Sequence, residues 1–166
     1  MSHARTLALD VGDRRIGVAI TDPLGWMAQP LFTLHRATPK PNLRADLKAV
    51  ARFIRQHKVE VIVVGHPLNA DGTTGPQAIK AEAFAQALRE HLAESQPELP
   101  IHLFDERLTT VEAHEILDRS GQKPQNSKAA RLTREEQIDQ IAATLLLESW
   151  LSLHSGPTLL PDPDQG

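Results

Sequence analysis

Val59-Glu60-Val61-Ile62-Val63-Val64-Gly65 is an almost unbroken β-branched run, and no other segment narrows the possible folds as much. A strand with one wet face alternates apolar and polar residues, whereas a run apolar at successive positions belongs to a strand buried on both faces. Such a strand needs a helical layer on each side, which points to an α/β architecture.

The rest of the chain supplies the other pieces. From Arg5 to about Thr21, Leu7, Leu9 and Val11 lie on one face, and beyond Gly12-Asp13-Arg14-Arg15 the residues Ile16, Val18 and Ile20 resume it, which reads as a β-hairpin. The opposite face carries Ala8, Asp10, Gly17, Ala19 and Thr21, so only small side chains crowd the sheet beside Asp10. A third strand is expected near Leu31-Phe32-Thr33-Leu34, after the turn signals Asp22-Pro23 and Leu24-Gly25. Asn42 to Lys58 reads as a helix with Leu43, Leu47, Val50 and Ile54 on its apolar side and Arg44, Lys48, Arg52 and Arg55 on the other. The strand run leads through a loop and Pro76 into a helix up to about Ser95, and Ile101-His102-Leu103-Phe104 is a further short strand. Thr109-Thr110-Val111-Glu112 and Thr133-Arg134-Glu135-Glu136 fit capping boxes, opening helices to about Asp118 and about His154. The stretch Arg119 to Leu132 reads as a mobile loop, and Ser155 to Gly166, rich in Pro and Asp, as a disordered tail. The expectation is one domain over residues 1–154, a mixed five-stranded sheet with helices on both faces.

Three acids stand in apolar surroundings: Asp10 within Leu7-Ala8-Leu9-Asp10-Val11, Glu106 after Phe104-Asp105, and Asp139 between Ile138 and Ile141. An ionised carboxylate in a low-dielectric setting is strongly disfavoured unless paired or bound to a metal. The chain has no Cys and no His-x-x-x-His pair, so the candidate ligands are oxygens, which suit Mg²⁺ or Mn²⁺. Two such ions about 4 Å apart serve in-line displacement at phosphorus, so metal-dependent cleavage of a phosphodiester is the leading expectation.

The 166 residues, 40% apolar, are enough for one core. With no apolar h-region at the N-terminus and no run approaching the roughly 20 apolar residues that span a bilayer, the expected protein is cytoplasmic and off the membrane. A net charge of −3 looks wrong for a nucleic-acid binder until it is apportioned. Two divalent ions would bring it to +1, and setting aside the tail acids Asp162 and Asp164 leaves a body able to attract phosphate.

Four blocks carry a family resemblance: Leu9-Asp10-Val11-Gly12-Asp13-Arg14-Arg15-Ile16-Gly17-Val18-Ala19, Val64-Gly65-His66-Pro67-Leu68-Asn69-Ala70-Asp71-Gly72-Thr73, Asp105-Glu106-Arg107-Leu108-Thr109-Thr110, and Asp139 with Ile141-Ala142-Ala143. Over roughly Arg5 to Leu153 the chain resembles the YqgF/RuvX family, departing at His66, where Leu is usual. That family has an RNase H-like fold and is regarded as comprising Holliday-junction-resolvase-like or pre-16S rRNA nucleases. The resemblance implies Asp10, Glu106 and Asp139 as catalytic metal ligands, and a nucleic-acid substrate such as RNA, a ribosomal small-subunit precursor or single-stranded DNA.

Substrate contacts are expected from Arg14 and Arg15 in the hairpin turn near Asp10, where a guanidinium could hold a phosphate in a fork, from Asn69 in the Gly65 to Pro76 loop, and from Arg107 beside Glu106. The Arg44 stripe reads as a solvated face or a phosphate track. His66 reads as a satisfied loop histidine, with proton transfer near the site as the alternative. Two other functions compete. A phosphotransferase would want a hydroxyl residue where Asp13 stands, and a non-catalytic ribosome-assembly module would not need three acids. A junction resolvase usually needs symmetry to cut two strands, whereas rRNA processing does not, and the chain is expected as a monomer or weak homodimer.

Overall fold

The structure, a computed structural model, describes residues 3–105 and 132–154. Strands β1 (Thr6–Val11), β2 (Arg15–Thr21), β3 (Ala28–His35), β4 (Val61–His66) and β5 (Ile101–Asp105) form one sheet in the order β3-β2-β1-β4-β5, with helices α1 (Leu43–His57), α2 (Pro76–Leu92) and α3 (Arg134–His154) packed on it. The sheet is mixed: β1 pairs antiparallel with β2 and parallel with β4, and β4 pairs parallel with β5. The expected opening meander and both-face burial of the central run are thus observed. β1, β4 and β5 end at the same side, the usual location of sites in such sheets.

The two faces of β1 and β2 build different layers. Leu7, Leu9, Ile16, Val18 and Ile20 pack with Leu47, Val50 and Ile54 of α1 and with Phe84 and Leu88 of α2. On the reverse face Ala8, Ala19 and Val63 meet Ala143, Leu146, Leu147 and Trp150 of α3. Each large aliphatic side chain removed from water contributes about 1.5–3 kcal/mol, so the first layer supplies most of the cohesion. The second layer sets a height: small residues on the sheet let α3 lie close to it.

Helix α1 starts where its cap dictates. The Asn42 Oδ1 accepts from the Ala45 N–H at 3.1 Å, and Lys58 closes the helix in the left-handed region at φ 52. Leu43, expected in the core, is instead substantially exposed, while Asp46 is buried. Strand β3 is longer than expected and includes Pro30, tolerated because β3 is the edge of the described sheet. Helix α2 stops at Leu92 rather than near Ser95. The helix expected at 109–118, most of the loop 119–132 and the tail 155–166 lie outside the described residues. Among the described residues no helix is long and apolar enough to cross a membrane.

Candidate active site

Asp10 lies one residue before the end of β1, paired across from Gly17 of β2. Alternation along β1 gives it the parity of Ala8, so it faces the α3 side. The main chain of Asp139 rests directly on Gly17: a Cβ there would collide with the Asp139 carbonyl oxygen and stand 2.6 Å from its carbonyl carbon. Two carboxylate residues far apart in sequence are thereby brought to one spot, with glycine as the spacer.

Asp139 is half-buried, and its Oδ2 accepts from the Arg15 Nε at 2.6 Å. Burial pushes this carboxyl above its ordinary value; the Arg15 hydrogen bond and charge, with a smaller contribution from His35, work against that without cancelling it. The start of α3 is fastened to β3. The Thr33 Oγ1 donates to the Glu136 carbonyl at 3.1 Å, the Gln140 Nε2 donates to the same hydroxyl at 3.1 Å, and His35 Nε2 meets Glu136 Oε1 at 2.7 Å. The expected capping box forms, with the Glu136 N–H donating to Thr133 Oγ1 and the Thr133 N–H to Glu136 Oε2.

Glu106 and Arg107 lie outside the described residues, and so the third acid is not placed. Asp105, which precedes Glu106, ends β5 in register with His66. Among the described residues no group of three or more metal-ligating side chains is gathered. The donors that are placed nevertheless fit a hard cation. Asp10 and Asp139 offer only carboxylate oxygens, the donors that hard divalent cations prefer.

The two arginines part: Arg15, the first residue of β2, goes to Asp139, whereas Arg14, in the turn before it, lines a cleft on the α2 side. His66 pairs with Glu82 of α2 at 2.9 Å, on the face away from α3, in keeping with a satisfied histidine. Asn69 is used within its own loop, its Nδ2 donating to Thr73 Oγ1 at 2.9 Å and its carbonyl accepting from the Gly72 N–H at 2.8 Å. The α1 stripe Arg44, Lys48, Arg52 and Arg55 is exposed throughout.

Sequence reasoning missed Arg36. Its Nε donates to the buried Asp46 Oδ2 at 2.8 Å, its Nη1 donates to the Gly12 carbonyl at 2.9 Å, and its guanidinium lies 5.9 Å from the Phe84 ring centre. This one side chain ties the hairpin turn to both helices of that layer. The readable signal was Asp46, which stands on the apolar stripe of α1 three residues after Leu43 and four before Val50.

Residues 4–153 match the family model described as RuvX, Holliday junction resolvase. A protein of Moorella thermoacetica is 44% identical over 89% of this chain and 94% of its own length, and one of Myxococcus xanthus is 39% identical over 96% and 95%. Both carry the name "Putative pre-16S rRNA nuclease". Among solved structures, the chain is similar to Thermus thermophilus RuvC in complex with a Holliday junction substrate (TM-score 0.54, 13% identity, 91% of this chain and 96% of that one) and to the yeast mitochondrial Holliday junction resolvase (TM-score 0.54, 10% identity, 90% and 78%). At those identities the likeness concerns the fold, which is RNase H-like.

Proposed function

The chain belongs to the RuvX family, and from that membership and the juxtaposition of Asp10 with Asp139 we propose that it is a metal-dependent nuclease that hydrolyses phosphodiester bonds in maturing the 5′ end of pre-16S rRNA. The observation that carries the reading is Asp139 seated on Gly17, across from Asp10. Asp10, Glu106 and Asp139 would hold Mg²⁺ or Mn²⁺, two ions per site; such ions, when bound, supply an activated water and charge stabilisation for the leaving oxygen.

The chain's own residues have separate tasks. Arg15 orients the Asp139 carboxylate and offsets its charge. The fastening of α3 to β3 through Thr33, Gln140 and Glu136 fixes where that carboxylate lies along the sheet. Arg14 and the α1 stripe offer cations to substrate phosphates, which position a strand without reading its bases. The names of the relatives favour an RNA substrate, while the description of the family favours a second reading, junction resolution.

Cleavage of labelled single-stranded RNA, single-stranded DNA and four-way junctions, with Mg²⁺ or Mn²⁺ added separately, tests both. The expected result is metal-dependent cutting of RNA, abolished by Asp10→Asn, Glu106→Gln or Asp139→Asn with the fold retained. Cutting of junctions alone selects the second reading, and no cutting of any substrate with either metal overturns both.

A further inference from the structure

The wall of β1 opposite the carboxylates holds a cleft of about 810 Å³, within the size range of ligand pockets. Its floor is Val11, the residue after Asp10, with Phe84 of α2. One side is the segment before α1, through Pro39, Pro41 and Leu43; the other is α2, through Lys80 and Ala83. Arg14 stands at the hairpin rim.

The charges are disposed unequally. Arg36 is committed to Asp46 and the Gly12 carbonyl, and Lys80 bonds Asp13 at 2.8 Å across the exposed edge. Arg14 makes no ion pair with a described residue. A largely apolar slot whose rim carries a guanidinium with no ion-pair partner among the described residues suits a ligand with a flat, weakly polar part and an attached anion. A nucleotide has that form. A base paired inside a duplex cannot enter a slot, so the occupant must be unstacked. Position decides between a free nucleotide and one in a strand: Arg14 at the rim is the immediate chain neighbour of Arg15, whose Nε bonds the Asp139 carboxylate.

Resting on the nuclease reading above, we propose that this cleft takes an unpaired nucleotide of the substrate strand, its base between Leu43 and Ala83 and its phosphate on Arg14, so that the enzyme selects single-stranded over paired nucleic acid next to the cut. Phe84 is too buried to stack on the base. It serves as the floor, and the contact comes from the proline and aliphatic walls.

The test is binding, measured by fluorescence anisotropy in Ca²⁺ with a short single-stranded RNA and the same sequence as a duplex. The variants are Ala83→Phe, which fills the cleft, and Leu43→Ser, which removes a wall at an exposed position and keeps the test available if the first fails to fold. Both should weaken single-strand binding about tenfold, the usual order for one lost base contact, and leave duplex binding within about twofold. A 4-thiouridine in the strand should crosslink to the cleft in the wild type and not in Ala83→Phe. Unchanged single-strand affinity in the folded variants, or equal losses for strand and duplex, overturns the proposal. So does uridine monophosphate that competes as well as the strand, because the cleft would then take free nucleotides. Lost selectivity in the variants of a wild type that cuts nothing would sink the cleavage reading and leave the cleft standing. Intact cleavage with unaltered binding would do the reverse.

Discussion

Adding one methyl group at Gly17 should disable the site without touching an acid. An alanine Cβ would stand 2.6 Å from the Asp139 carbonyl carbon, with the carbonyl oxygen nearer still. Carbon atoms rest at about 3.5–4.0 Å, so α3 must retreat from the sheet by about an ångström near Asp139. Overpacking of this kind costs about 1–3 kcal/mol. A displacement of about 1 Å at a catalytic group can cost about a hundredfold in rate. Urea unfolding of the metal-free protein should therefore show a lower midpoint for Gly17→Ala, and single-turnover cleavage at saturating metal should fall by about two decades. Ala8→Gly is the control. It thins the same buried layer and destabilises by about 1 kcal/mol, but pushes nothing against α3, so its single-turnover rate should stay near the wild type. If Gly17→Ala unfolds at the wild-type midpoint and cleaves within twofold of it, the close seat of α3 is wrong. If Ala8→Gly loses as much activity, lost stability rather than displacement is the cause.

Asp139→Asn should abolish cleavage while its stability relative to wild type improves as pH rises. Burial holds the folded carboxyl above its ordinary value of 3.8, so the native state binds more protons and wild-type stability falls as pH climbs from about 3.8 through the raised value; urea midpoints of the two proteins that stay parallel across that range would contradict this. Arg36→Ala should cost about 3–5 kcal/mol by leaving Asp46 buried and unpaired, and Arg36→Met with Asp46→Leu should recover most of it in the same denaturation assay. Lys48→Ala with Arg52→Ala should weaken RNA binding and flatten its log–log salt dependence by roughly one unit per lost phosphate contact; an unchanged slope would mean that the exposed stripe is only a solvated face.

The parts of the fold set by periodicity were open to reading. The hairpin, the two-faced run at Val61–Val64 and the amphipathic α1 all follow from local spacing, and the small-residue face around Asp10 and Gly17 already marked where something would approach closely. The residues that converge from distant elements were not open to reading in the same way. Arg14 and Arg15 look equivalent in a turn, and only where β2 begins and what packs beside it separate them, Arg15 meeting Asp139 and Arg14 lining the cleft by α2. The partner of His66 depends on which side α2 covers, and that of Asp46 on where the segment after β3 returns, both tertiary outcomes. Asn69 shows the local competition that makes loop polar residues hard to assign: its amide satisfies its own turn.

The sheet order also has a dynamic consequence. β1 is bonded on both sides, to β2 and to β4, and is covered by a helical layer on each face. A strand so placed exchanges its amide hydrogens only through the rarest, near-global openings. Asp10 thus rides on one of the strands bonded on both sides and covered on both faces, while three residues further on the backbone turns out into solvent at Asp13 and Arg14. The chemistry is anchored on a doubly bonded strand, and the groups that would greet a strand sit at a hairpin tip that side chains help tie down, through Arg36 on the Gly12 carbonyl and Lys80 on Asp13.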